Sequence, residues 1–177
     1  MKDSSGQTRY LAVGAGKDSN IYIVGRYAMG KFNPNTNNLR QEIDGALPGG
    51  AWSMPALFGN TLYYGSVGHP IYAFQFSNAL LSTGPTMQTS NSFGYPGATP
   101  SISSNGSSNA IVWAVETGDT AVLHAYNASN LQEIYNSNQT TNARDHFGKG
   151  NKFITPTIAN GQVFVGTTNS VAVFGLR

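Results

Sequence analysis

At 177 residues the chain is long enough to bury a core of its own, yet only 10% of it is charged, against roughly a quarter in ordinary globular domains. Ten basic residues stand against eight acidic ones, scattered to a formal charge of +2, which excludes the clustered basic footprint of a nucleic-acid or membrane-surface protein. The lack of cysteine excludes disulfide staples and thiolate metal sites, and no run nears the ~18 apolar residues of a membrane-spanning helix.

Gly, Asn, Ser and Thr stand where the charges are missing. That mix suits short strands joined by tight turns and deprives long helices of Glu, Lys and Ala. Residues 1–7 are polar and carry no apolar signal-peptide segment. No signal peptide is expected here, which leaves export of a longer parent open.

Strands are expected in four groups. The first, about residues 8–45, offers Tyr10–Gly14, Ile21–Val24 and Leu39–Ile43, and lacks a first strand. The second, about residues 50–90, offers Trp52–Phe58, Thr61–Gly65, Ile71–Phe76 and Leu80–Met87. The third, about residues 95–140, offers Ala98–Ser103, Ala110–Val115, Val122–Tyr126 and Leu131–Tyr135. The fourth, about residues 150–175, offers Phe153–Ile158, Gln162–Gly166 and Val171–Phe174. Its Asn160-Gly161 pair is the strongest hairpin signal in the chain, because a type I′ turn needs positive φ at both central residues.

The groups repeat. The small residues Gly14, Gly65, Ala114 and Gly166 close the second strands at intervals of 51, 49 and 52. Val24, Phe74, Tyr126 and Phe174 mark the third strands at intervals of 50, 52 and 48. Tyr72–Asn78 overlays His124–Asn130 without a gap, and Pro55, Pro100 and Pro156 stand in the first strands. A β-sandwich also places strands roughly every 8–12 residues, but a four-strand unit repeating about every 50 residues predicts propeller blades. The expected fold class is all-β: about three and a half to four blades of four-stranded antiparallel meanders, in a single domain.

The Thr155-Pro156-x-Ile158-x-Asn160-Gly161-x-Val163-x-Val165-Gly166 stretch, continued by Val171-x-Val173-Phe174, resembles a blade of the pyrroloquinoline-quinone-type propeller repeat. The resemblance covers nearly the whole chain, most closely the C-terminal part of larger bacterial repeat proteins. Ala15–Arg26 is similar to the strand–turn–strand of quinoprotein dehydrogenases, with Gly25 where that family has an acidic residue. The resemblance implies the blade fold. It does not bring the redox chemistry, whose calcium carboxylates and paired cysteines lie elsewhere in a longer chain, so pyrroloquinoline quinone is not expected as a cofactor. The repeat also occurs in non-enzymatic assembly scaffolds.

Fewer than four full blades leave two sheet faces bare. Two copies joined head to tail about a two-fold axis are expected to close a ring of about eight blades. The start within a blade reads as a truncated reading frame.

In a meander, connections alternate between two faces. First-to-second and third-to-fourth turns are bland Asn, Gly and Ser. Second-to-third turns and inter-blade links hold the ionisable residues: Lys17, Asp18, His69, Glu116, Asp119, Arg144, Asp145, His146, Lys149 and Lys152. Such loops over a rigid scaffold are where binding sites ride. The expected ligand-binding set is Lys17, Asp18, Arg26, Trp52, Tyr95 and Lys149, for a small-molecule or interaction partner. A second reading is a metal-assisted hydrolase in the channel mouth, with Asp145 and His146 as acid/base pair, Arg144 or Lys152 on the oxyanion, and a divalent metal on Asp145, His146 and His69. Quinone-dependent oxidation is a third. Each residue also has a plain role: a local Arg144–Asp145 pair, a solvated His69, a core His124, a buried inter-blade acceptor at Glu116, and first-strand packing for Trp52 and Phe153. No nucleophile elbow, zinc helix motif or phosphate loop occurs.

Overall fold

Short strands and tight turns assemble into four antiparallel sheets that follow one another along the chain. The computed structural model describes residues 1–175. Its first sheet is β1 (Leu11–Ala15), β2 (Ile21–Gly25) and β3 (Gln41–Ile43). The second runs β4 (Ala56–Phe58), β5 (Thr61–Gly65) and β6 (Ile71–Ser77), with β7 (Leu80–Leu81) and β8 (Met87–Gln88) both paired to β6. The third is β9 (Ser101–Asn105), β10 (Ser108–Glu116), β11 (Val122–Asn127) and β12 (Glu133–Asn136). The fourth is β13 (Thr157–Ala159), β14 (Gln162–Gly166) and β15 (Val171–Gly175). Among the described residues the fold is an all-β propeller segment of four blades, the first and last with three strands each. No helix among the described residues is long and apolar enough to cross a membrane.

Alternation at period two decides how the blades stack, because successive side chains leave opposite faces of a strand. On β5 and β6, Leu62, Tyr64, Phe74 and Phe76 bury against the first blade with Ile21, Ile23 and Ile43. Their neighbours Tyr63, Ile71 and Ala73 turn the other way, against Val112, Ala114 and Tyr126 of the third blade. Val115 and Leu123 then meet Val163 and Val165 of the fourth. Three interfacial cores thus join four blades, and each fully buried aromatic or branched residue contributes about 1.5–3 kcal/mol. Polar stitches cross the first two joints. The Gln41 side-chain amide donates to the Leu81 carbonyl at 2.7 Å and accepts from its N–H at 2.8 Å. The Tyr63 hydroxyl donates to the Ala128 carbonyl at 2.7 Å.

The turn chemistry forms as read: Asn160 and Gly161 have φ of 49° and 72°. Three readings need correction. The first strands begin later than expected, at Ala56, Ser101 and Thr157. Each starts just after Pro55, Pro100 or Pro156, since proline has no N–H for the ladder. Trp52 and Phe153 are therefore link residues, not first-strand core, and Phe153 has φ of 64° and is 58% exposed. The fourth strand expected over Leu80–Met87 is two pieces, interrupted around Gly84-Pro85, where Ser82 Oγ accepts from the Gln75 N–H instead. Glu116 is not buried between blades. Its carboxylate is 44% exposed and faces His124 of its own sheet, Nε2 at 3.3 Å.

Links and second-to-third turns share one face, as their connectivity requires. The Ala51 N–H donates to the Gly16 carbonyl, Val67 to Gly50, and Gly150 to Gly118, at 3.0, 3.1 and 3.0 Å. Each link thus seats on a turn of the blade it leaves or enters. The joint into the third blade is the tightest: a Cβ on Gly65 would lie 2.2 Å from the Ala98 carbonyl oxygen.

Candidate functional site

The first strands of successive blades touch one another, β4 with β9 and β9 with β13. They therefore line the axis, where radially arranged blades converge. Their starting ends lie on the link face. Three aromatic residues from three successive links meet there. Trp52 and Tyr95 rings are 5.8 Å apart at 75°, and Tyr95 and Phe153 are 6.3 Å apart at 83°. Both contacts are edge-to-face, the arrangement that the ring quadrupole favours. Tyr95 is 49% exposed. Two ammonium groups lie on this floor: Lys17 Nζ is 4.2 Å from the Trp52 ring centre and Lys152 Nζ 4.8 Å from that of Tyr95. Among the described residues, neither lysine has a carboxylate within ion-pair distance.

The other expected ligand residues are dispersed. Asp18 shares the turn of Lys17, but its carboxylate accepts from the Tyr22 hydroxyl and the Asn20 N–H. The Tyr22 hydrogen bond is the main reason its acidity is strengthened. Lys149 is paired with Asp119 at 2.9 Å, and that partner holds the Asp119 carboxyl below its usual range. Arg26 is at the opposite end of the first blade. β1 and β2 pair from Ala15↔Ile21 at the Lys17 end to Leu11↔Gly25 at the Arg26 end, and the guanidinium lies over the Tyr27 and Tyr10 rings at 4.7 and 5.4 Å.

Arg144, Asp145 and His146 lie away from the ladder, on a cleft of about 870 Å³ between the third and fourth blades. Trp113, Tyr135, Phe147 and Phe174 line its apolar wall. The Asp145 carboxylate accepts from Arg144 Nε and Nη2 at 2.6 and 2.9 Å and from the Tyr135 hydroxyl at 2.7 Å. Burial and that hydrogen bond push the Tyr135 phenol far up. His146 is exposed, and its N–H closes a turn onto the Ala143 carbonyl at 3.1 Å. Among the described residues, Arg144 and Asp145 thus pair with each other, and His146 does not join them. His69 is in another blade's turn, Nδ1 3.4 Å from the Tyr72 hydroxyl, and Lys152 belongs to the aromatic ladder. No group of three or more metal-ligating side chains comes together among the described residues. His124 is a satisfied core residue: its Nδ1 meets Glu133 at 2.6 Å, and its ring stacks on Tyr126 at 10°.

Sequence reasoning points to Lys17, Trp52 and Tyr95 but sets Phe153 aside as packing and gives Lys152 to another site. A signal for Phe153 is present: each aromatic of the ladder stands three to five residues before the proline that precedes a first strand.

No family model matches the chain, and no curated protein matches it. Among solved structures it is similar to BamB from Moraxella catarrhalis, with a TM-score of 0.54 and 12% identity. The match covers 98% of this chain and 47% of that one, so this chain spans about half the length of BamB. At that identity the likeness shows the fold, a β-propeller, and the four stacked meanders agree with it.

Proposed function

We propose that this chain is one half of a propeller ring and works as a binding module, its blades being of the pyrroloquinoline-quinone type in fold rather than in chemistry. A second copy supplies the other half, giving about eight blades, and the interaction site lies on the link face around the axis. One observation carries the reading: large apolar side chains are exposed at the two ends of the blade stack. Met29 and Phe32 are bare in the first unit, Phe32 at 92%, with Tyr10 and Tyr27 exposed beside Arg26, and Val171 and Val173 are bare in the last strand. Patches of this kind mark interaction sites in soluble proteins. The half-length match to a larger propeller supports the same division. A symmetric pair would seat the fourth blade of each copy on the first blade of the other, two heterologous joints closed by one two-fold axis.

Light scattering at micromolar concentration tests it. The expected mass is twice the 18.8 kDa of the chain, and Val171→Glu with Val173→Glu shifts the population to the single-chain mass. A single-chain mass for the unmodified protein overturns the ring.

A further inference from the structure

The axial ladder has a chemistry that selects its partner. We propose that the Lys17–Trp52–Tyr95–Lys152 floor binds an extended acidic peptide segment, with one carboxylate on each ammonium and the chain laid across the rings. This deepens the reading of the link face as the interaction site, and it rests on that reading but not on ring closure, since all four residues come from one chain.

Three features lead to carboxylates. The two ammonium groups are the cations of the mouth, and neither is spent on an internal carboxylate among the described residues. Nearby Asp18 keeps its charge and is held by the Tyr22 hydroxyl and the Asn20 N–H, and Asp119 is paired with Lys149. Lys17 and Lys152 therefore face a ligand with no ion-pair partner of their own among the described residues. A lysine ammonium has three donors, and one held against a ring face keeps donors outward for an acceptor oxygen.

The ring geometry argues against flat ligands. A sugar or base stacks on an open aromatic face, but here the faces of Trp52 and Tyr95 carry ammonium groups and the rings meet edge to face. Stacking would first have to displace a cation–π contact worth about 0.5–2 kcal/mol. A carboxylate approaches from outside and leaves it in place.

The spacing fits an extended chain. The contacts of 4.2, 5.8 and 4.8 Å laid end to end bound the ammonium separation at about 15 Å. At roughly 3.3 Å per residue, carboxylates up to four residues apart span it. Phe153 extends the floor by one exposed ring beyond Tyr95, as a contact for an apolar residue of the same segment.

The test is fluorescence anisotropy with a dye-labelled decapeptide alternating Glu and Gly and carrying one central Phe. A Lys–Gly decapeptide, a single-stranded oligonucleotide of equal charge and anionic phospholipid vesicles serve as competitors. The expected result is saturable binding of the acidic peptide, weakened about tenfold or more by Lys17→Glu with Lys152→Glu. The control Lys2→Glu with Lys31→Glu carries the same charge change at exposed sites outside the ladder and keeps the affinity within about twofold. The proposal is overturned if the peptide does not bind, if the control pair weakens it equally, or if oligonucleotide or vesicles displace it at lower concentration. Light scattering on the same sample separates the two readings: a single chain that binds sinks the ring alone, and a dimer that does not bind sinks the peptide site alone.

Discussion

The second and fourth blades have related sequences and different settings. The second is packed on both faces, with eleven buried residues in the core toward the first blade and eleven in the core toward the third. The fourth shares a core of five, beside a cleft of about 870 Å³, and its other face is bare. Tyr63, Tyr64 and Phe74 are buried around the second blade, whereas Val163 and Val165 are the buried anchors of the fourth. The same meander is rigid core in one position and a loosely held end in the other. What fixes a blade is therefore its neighbours more than its own strand pairing, since two or three strands alone are marginal in water.

The largest effect that would break this contrast is in the core between the first two blades. Phe74→Ala is expected to cost about 3–5 kcal/mol, read from denaturant midpoints, whereas Val165→Ala costs about 2 kcal/mol. Hydrogen exchange should find the amides of β13–β15 opening at lower free energy than those of β5 and β6. Equal protection in the two blades would remove the difference. Next is the joint into the third blade. Gly65→Ala drives a Cβ into the Ala98 carbonyl, and is expected to cost about 1–3 kcal/mol; an unchanged midpoint would show that the link can shift.

The smallest effect is an alkaline one. Burial pushes the Tyr64 phenol up from 10.0 to about 12, and Tyr63 and Tyr126 are raised for the same reason. The unfolded chain gives up these protons first. Stability is thus fully present below pH 10 and is lost as pH rises from 10 through about 12. The loss should appear in the second blade's exchange, and Tyr64→Phe should reduce it there.

Much of this fold was legible because its signals are local. The Asn160-Gly161 turn, the β-run Thr61–Gly65 and the 50-residue repeat act within one blade or between equivalent points. The prolines were legible as markers yet misplaced the strand starts, because the missing N–H acts on the ladder rather than on the apolar run. The site was half legible. Residue type brought Lys17, Trp52 and Tyr95 forward, and the local Arg144–Asp145 pair with them, but not that Arg26 would point to the other face or that the Tyr135 hydroxyl would also hold Asp145.

Local patterning was enough to fix the class of fold, the number of meanders and the loops that carry Lys17 and Lys152, because period-two alternation and turn residues act over a few positions. Which of those charges meet came from the packing of the blades. Positions some fifty and a hundred residues apart come within a ring's width only where blades converge on the axis, and nothing local in Trp52, Tyr95 or Phe153 encodes that convergence.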